Sequence, residues 1–183
     1  MKFVLDTSAF TSVGKSKKET DSHIKNFADC IAKDKENEYY MPKTVWQELE
    51  KVLITRGTDE SIIEQIRKAI IIRQPSRMEL HIPAQFVNDF VSEFRQRINR
   101  GLREAEKAVL EKSKNVNRPD EEVIHDLRDR YRTVMRQGLI DSEEDLDVLL
   151  LAKEISAMII ANDKGIEKWA DKWGIPYMSS AAD

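Results

Sequence analysis

The sequence is poor in residues that build covalent or zinc-bound scaffolds. It contains one cysteine, Cys30, so no disulfide can form within the chain, and a reducing compartment is the natural setting. The three histidines are scattered and form no zinc-binding pattern.

No apolar run approaches the roughly 20 residues that are needed to cross a membrane. The first residues lack the basic start and long apolar stretch of a signal peptide. We therefore expect a cytoplasmic protein with no membrane association.

The composition is that of a charge-rich globular protein. A chain of 183 residues with 40% hydrophobic and 34% charged residues predicts one domain, or one domain that carries an insertion. The net charge of −3 is unevenly distributed. Residues 84–140 contain 12 Lys and Arg against 10 Asp and Glu, whereas the rest of the chain contains 18 against 23. A mildly basic middle therefore interrupts an acidic body, and such an element can bind nucleic-acid phosphates although the whole chain is acidic.

Short apolar strands alternate with amphipathic helices at both ends of the chain. We predict strands at Lys2–Leu5, Glu38–Met41, Met78–Ile82, Ala157–Ala161 and Ile175–Met178. The helices between them include Glu60–Ile72 and the very apolar Asp141–Glu154. This alternation predicts an α/β fold in which a mostly parallel central sheet is flanked by helices.

Residues 84–138 have a different pattern. Ala84–Lys114 keeps an apolar residue every three or four positions without an interrupting proline. A turn at Asn115–Pro119 separates it from a second amphipathic helix. These features predict a long helical hairpin, inserted into a domain that consists of residues 1–83 and 139–183.

Acidic residues follow the predicted strands. Asp6 comes directly after the first strand, and Asp163 follows a later one. Ligands bind beyond the carboxyl ends of parallel strands, where we expect these two side chains to meet. Asp141 and Asp145 are four residues apart in the first turn of an apolar helix and therefore share a face. Glu48, on an earlier helix, is placed to reach the same edge from the side.

Clustered carboxylates are unfavourable without a cation, because they repel one another and at least one is driven to hold a proton. Their hard oxygen atoms suit Mg²⁺, with Mn²⁺ as the alternative, and a carboxylate-held Mg²⁺ with open water positions can cleave phosphodiesters. Each acid alone has a simpler explanation, such as a helix cap for Asp141 or an ion pair with Lys51 for Glu48. Thr7 and Ser8 either hydrogen-bond a metal ligand or cap the next helix.

Basic residues recur along both helices of the predicted hairpin. They are Arg97, Arg100, Arg103, Lys107 and Lys114 on the first helix, and Arg128, Arg132 and Arg136 on the second. Arginine side chains suit phosphate oxygens, and contacts of this kind recognise the backbone and shape of structured RNA. The alternative is a solvated face on which these residues form ion pairs with nearby acids.

The chain resembles a PIN-domain nuclease in its start FVLDTS, its PxxVxxEL stretch (Pro42 to Leu49), DSEED at 141–145 and the late Asp163. It resembles more specifically the HARP family, which are minimal protein-only RNase P enzymes that are also called RNA ligase partner proteins. The segments that carry this second resemblance are KFVLDTSAFT, the long hairpin, GLIDSEEDLDVLLLAKE and NDKGIEKWADKWGI. Together they span essentially the whole chain.

The resemblance implies a metal-dependent endonuclease that removes the 5′ leader of precursor tRNA. Hydrolysis by a metal-bound water, attacking in line, would leave a 5′-phosphate on the mature tRNA and a 3′-hydroxyl on the leader. The metal ligands it implies are Asp6, Asp141, Asp145 and Asp163, with Asp147 as a further family acid and Glu48 as part of the PIN pattern. Asn162 departs from the many PIN domains that carry a small or hydroxyl residue before the last acid.

The resemblance also implies a large homo-oligomer built through the hairpin helices, hairpins that hold the tRNA elbow, and no protein cofactor. Arg128 and Arg132 would hold phosphates near the cut.

Two other functions stay open. One is a toxin-type PIN endoribonuclease that cuts tRNA or rRNA internally, although such toxins are typically shorter and lack this hairpin. The other is a non-catalytic RNA-binding partner protein, which the complete set of acids disfavours.

Overall fold

The fold is known from a computed structural model, which describes residues 1–11, 16–136, 140 and 142–180. The chain divides into two compact units, Met1–His81 with Ile140–Asp183, and Ile82–Leu139. The first unit contains the described strands. They are β1 (Lys2–Leu5), β2 (Glu38–Met41), β3 (Ile70–Ile72), β4 (Met158–Ile160) and β5 (Tyr177–Met178).

Helices connect these strands within the first unit. They are α1 (Ser8–Thr11), α2 (Lys17–Lys33), α3 (Lys43–Arg56), α4 (Glu60–Ala69), α7 (Glu143–Ile155) and α8 (Lys164–Trp173). The second unit contains α5 (Ala84–Lys114) and α6 (Asp120–Arg136). None of the described helices is long and apolar enough to span a membrane.

All neighbouring strands of the described sheet are parallel, in the order β3-β2-β1-β4-β5. The central strand β1 pairs through Phe3 with Tyr39 on one side and with Met158 on the other. The apolar helix α7 packs against β1 and α3, and its residues Val148–Ala152 are buried. The predicted α/β fold with a parallel sheet flanked by helices is therefore confirmed.

The third strand lies earlier in the chain than the sequence pattern predicts. Ile70–Ile72 forms β3 in register with Tyr39–Met41, so the helix predicted to reach Ile72 ends at Ala69. Three successive β-branched residues favour an extended backbone, and edge pairing with β2 satisfies their backbone groups. The strand predicted at Met78–Ile82 is wrong, since no sheet pairing involves this described segment and Met78 is 96% exposed.

The second unit is a hairpin of two packed helices, α5 and α6. Gly101 of α5 allows their close approach, since a Cβ atom there would lie 2.5 Å from Cε2 of Tyr131 on α6. Lys112 holds the turn between the helices, with Nζ donating to the backbone oxygens of Val116 and Arg118 and forming an ion pair with Asp120. These contacts fix the hairpin internally, within Ile82–Leu139.

Candidate metal centre and nucleic-acid interface

Acids of the first unit lie where the order in which strands are added to the sheet changes direction. From β1 the chain proceeds to β2 and β3, and it later returns to add β4 and β5 on the other side of β1. Neighbouring strands whose connections leave in opposite directions create a crevice at their carboxyl ends. Asp6 follows β1 directly, and Asp163 lies three residues after the end of β4, where it caps α8. The sheet topology therefore positions these two acids at one crevice.

Asp6 is buried next to other negative charges. The residue is only 5% exposed, and its Oδ2 accepts hydrogen bonds from the backbone N–H and the hydroxyl of Ser8. Burial raises the pKa of the Asp6 carboxyl, the Ser8 hydrogen bonds oppose this, and the charges of Asp163 and Glu48 raise it further. Three of the predicted acids thus interact electrostatically at one edge.

A hydrogen-bond network joins the ends of β1 and β4. The backbone N–H of Asn162 donates to Oγ of Ser8 at 2.8 Å, and its side-chain amide donates to the Ser8 carbonyl at 3.0 Å. The Asn162 amide also donates to Ser180 Oγ at 2.7 Å and so holds the end of the described chain. In the sequence, Asn162 is only a departure from the PIN pattern, whereas in the structure it fixes Ser8, the residue that orients Asp6.

Glu48 extends from α3 towards the same edge. Its Oε2 accepts a hydrogen bond from Thr7 Oγ1 at 2.9 Å, next to Asp6 in sequence. Among the described residues it forms no ion pair with Lys51. Thr7 and Ser8 therefore both donate to carboxylates at this edge, while Ser8 also begins the short helix α1.

The first turn of α7 carries Asp145, which is half-buried. Ser142 caps this helix, and its hydroxyl accepts a hydrogen bond from the Asp145 backbone N–H at 3.1 Å. Asp141 lies outside the described residues. Within the described part of the chain, no three His, Cys, Asp or Glu side chains form a preassembled metal site.

Asp163 has two local hydrogen bonds that orient its carboxylate. Its Oδ1 accepts from the backbone N–H groups of Gly165 at 2.6 Å and Ile166 at 3.0 Å. Burial raises the pKa of the Tyr177 phenol, and the negative charges of Glu167, Asp163 and Asp6 raise it further. Asp163 therefore caps a helix and also lies at the carboxyl edge of the sheet with Asp6 and Glu48. We call this group the acidic edge.

Asp147 occupies a different environment on α7. Its side chain is fully buried and forms an ion pair with Arg77 at 2.7 Å. Thr44 and Gln74 also donate to its carboxylate. The sequence carries no signal for Arg77 or Gln74, which precede the strand predicted at Met78–Ile82.

The basic residues of the hairpin divide into exposed and buried groups. Arg100, Arg103, Arg128 and Lys114 are exposed and form no ion pair with another described residue. Lys107 pairs with Glu104 at 2.6 Å, and Arg132 lies 3.7 Å from Asp129. The Arg136 side chain lies outside the described part.

Arg97 does not belong to the exposed stripe that the sequence predicted. It is 1% exposed, and its Nη1 donates to the Met135 carbonyl of α6 at 2.6 Å. Helical spacing predicts that Arg97 lies near Arg100 on an exposed face. In the structure, Arg97 is instead buried between the two helices, as are Gly101 and Ala108 of the same helix. Its role is therefore to join the two helices of the hairpin.

Comparison with known proteins defines the class to which this fold and acidic edge belong. The family model described as PINc domain ribonuclease matches residues 2–182, and the chain belongs to this family. Nucleases with PIN domains generally use divalent metal ions.

Curated relatives narrow the assignment further. The chain is 39% identical to an RNA-free ribonuclease P of Thermodesulfovibrio yellowstonii, over 97% of this chain and 88% of that protein. It is 37% identical to one of Archaeoglobus fulgidus (98% and 87% covered) and 34% identical to one of Haloarcula marismortui (97% and 85% covered). The chain belongs to the family of RNA-free ribonuclease P proteins, as the sequence resemblance predicts.

The donor set at the acidic edge fits a hard divalent cation. Carboxylate oxygens are the ligands that Mg²⁺ and Mn²⁺ prefer. Both charged neighbours that act on Asp6 are acids, and Asp6, Glu48 and Asp163 have no basic ion-pair partner among the described residues. A bound cation would offset both the burial and the neighbouring negative charges that raise the pKa of Asp6.

Proposed function

We propose that this protein is an endoribonuclease that removes the 5′ leader of precursor tRNA and needs neither an RNA subunit nor a protein cofactor. The observation that carries the proposal is the position of Asp6, buried beside two further acids at the crevice of a PINc domain. Similarity to RNA-free ribonuclease P over nearly the whole chain supports the choice of substrate. Processing of tRNA precursors agrees with the cytoplasmic location that the sequence predicts.

The residues that would hold the metal, which we propose to be Mg²⁺, are Asp6, Asp145 and Asp163 together with Asp141. When bound, the cation supplies positive charge at the scissile phosphate and makes hydroxide available at neutral pH. Ser8 orients the Asp6 carboxylate through Oδ2. Thr7 donates a hydrogen bond to Glu48, and our proposal gives Glu48 the role of accepting a proton from the attacking water. Cleavage on the 5′ side of the mature end leaves a 5′-phosphate on the tRNA and a 3′-hydroxyl on the leader.

The hairpin supplies contacts to the RNA backbone in this proposal. Arg100, Arg103, Arg128 and Lys114 are exposed, so their cationic groups are available to phosphates. Arg132 lies beside the exposed Asp129, and such a weak surface pair exchanges readily for a phosphate contact. Lys107 is exposed and pairs with Glu104, so binding a phosphate there would replace this pair. Arg136 completes the stripe on α6 by its spacing in the sequence.

We also propose that the hairpin assembles copies of the chain. α5 exposes a row of apolar residues at three- or four-residue intervals, each about half exposed: Val87, Val91, Phe94, Ile98 and Leu102. A contiguous apolar row of this kind marks a surface that associates. Sedimentation of the wild type and of Phe94→Glu tests this, and we expect a large homo-oligomer that the substitution dissociates. A wild type that sediments as a monomer contradicts it.

Cleavage of a precursor tRNA by the purified chain tests the activity. We expect a single cut at the mature 5′ end with Mg²⁺, lost on chelation and lost in Asp145→Asn. Asp171→Asn is the matched control, because Asp171 is an exposed acid of α8, and this variant is expected to cut normally. Cuts inside the tRNA indicate a toxin-type nuclease instead. Binding of tRNA without any cut indicates a non-catalytic partner protein.

A further inference from the structure

The carboxylate of Asp147 is already occupied by donors from the protein. Arg77 donates from Nε to Oδ1 at 3.0 Å and from Nη2 to Oδ2 at 2.7 Å. Thr44 Oγ1 donates to Oδ2 at 3.0 Å, and Gln74 Nε2 donates to the same oxygen. Three of these four hydrogen bonds fall on Oδ2 and one on Oδ1, so donors of the protein use the acceptor positions of Oδ2 fully and those of Oδ1 in part. The guanidinium also provides the positive charge that a cation would otherwise supply.

The same contacts fix the beginning of α3. Thr44 lies in its first turn, and Gln74 accepts a hydrogen bond from the Lys43 backbone N–H through Oε1 at 3.1 Å. Glu48 follows Thr44 by four residues and therefore lies on the same face of α3. The orientation of the Glu48 side chain towards Thr7 thus depends on where Asp147 holds α3.

Asp147 is linked in the other direction to Asp145. The two residues belong to the first turns of α7, which packs against α3 and against β1. A helix whose buried Asp147 is held by a bidentate ion pair with the half-exposed Arg77 has little freedom to rotate about its axis, so the direction of Asp145 follows from the Asp147 contacts. Two acid-bearing helices are therefore joined through one carboxylate.

We propose that Asp147 is a positioning residue that does not bind the metal. Through Arg77, Gln74 and Thr44 it sets α3 and α7, and with them Glu48 and Asp145, at the acidic edge. This assignment rests on the metal site proposed above and replaces the role of a further catalytic acid that the family resemblance gave to Asp147.

Equilibrium binding of Mn²⁺ in the absence of RNA, followed by the EPR signal of the free ion, tests the assignment. We expect Asp147→Asn and Arg77→Gln to bind as many ions as the wild type, each with about 10-fold weaker affinity, as is usual for residues that orient metal ligands. The double variant is expected to be no weaker than either single variant, because both remove the same link. Glu143→Gln is the control, since Glu143 lies 3.7 Å from Arg77 but is 81% exposed, and its binding should not change.

Thr44→Val provides a test that does not disturb the ion pair. It removes one hydrogen bond from a neutral hydroxyl to the Asp147 carboxylate, and we expect Mn²⁺ affinity to fall by about threefold. This variant decides the question if the other two do not fold, and an unchanged affinity then overturns the proposal.

Three further outcomes overturn the proposal, and a fourth separates it from the proposed function. A metal ligand at Asp147 predicts loss of a bound ion in Asp147→Asn and normal binding in Arg77→Gln. A purely structural ion pair predicts unchanged affinity in both folded variants, with only a lower unfolding temperature. A wild type that binds no Mn²⁺ contradicts the assignment together with the metal site. A wild type that binds Mn²⁺ but leaves precursor tRNA uncut contradicts only the proposed function.

Discussion

The two edges of the sheet shift the pKa values of their carboxylates in opposite directions. At the carboxyl edge, burial and neighbouring acids raise the pKa of Asp6. At the amino edge, before β2, hydrogen bonds from Asn37, Tyr39 and the Glu36 backbone lower the pKa of Asp34 to about 2. Asp34 therefore stabilises the fold when ionised, whereas ionised Asp6 opposes it. Acids that are unfavourable for the apoprotein but are held by dedicated hydrogen bonds are characteristic of a functional site.

The largest expected effect is on catalysis at the carboxyl edge. Asp6→Asn should lower the single-turnover rate of cleavage at saturating Mg²⁺ by about 10³-fold. It removes a buried ligand of the cation, and the cation stabilises the charge of the transition state by several kcal/mol. Quenched-time-course gels of precursor tRNA cleavage measure this. A variant that keeps more than a tenth of the wild-type rate contradicts the assignment of Asp6.

A smaller effect is expected on RNA affinity from the hairpin. Replacing Arg100 and Arg103 together by Gln, or Arg128 and Arg132 together, should reduce the slope of log affinity against log salt by about 2, since each arginine neutralises about one phosphate. The rate at saturating RNA should stay unchanged. Binding titrations from low to high salt provide the measurement.

Lys68→Gln is the matched control for these arginine pairs. Lys68 is exposed on α4, where it lies 3.4 Å from Glu64, and the proposal gives it no RNA contact. Its salt slope should equal that of the wild type. If one arginine pair leaves the slope unchanged, that pair belongs to a solvated face or to contacts between copies.

The same Asp6→Asn substitution sharpens the comparison through stability. The folded-state pKa of Asp6 is raised, so the folded chain binds its proton more tightly than the unfolded chain does, and stability is lost as pH rises through the folded-state pKa. Without metal at neutral pH, we expect the variant to unfold at a higher temperature than the wild type. The difference should shrink near pH 4, and added Mg²⁺ should stabilise the wild type more than the variant. A variant that is less stable at neutral pH would contradict this account.

The sequence predicted the acidic edge better than it predicted the contacts that support it. Asp6 and Asp163 were identifiable because each follows a strand in a β/α alternation, and topology then brings them together. Arg77 and Arg97 were not, because each bonds to a residue far away in sequence, Asp147 and the Met135 carbonyl. The capping box that Ser16 and Glu19 form is a signal in the sequence that marks the start of α2. Ile70–Ile72 was ambiguous, since a short apolar run fits the end of a helix and an edge strand equally well.

The smallest expected effect lies at the amino edge. Because the pKa of Asp34 falls from 3.8 to about 2, its hydrogen bonds to Asn37 and Tyr39 stabilise the fold above pH 3.8, and this contribution is lost as pH falls towards 2. Asp34→Asn should therefore flatten the decline of the unfolding temperature between these pH values, with cleavage at neutral pH unchanged. Asp29→Asn is the control, since it replaces another acid of α2 that accepts a hydrogen bond, from Gln65, but that has no comparable network. An acid profile that is the same in Asp34→Asn and the wild type would show that the two edges do not differ in the way described.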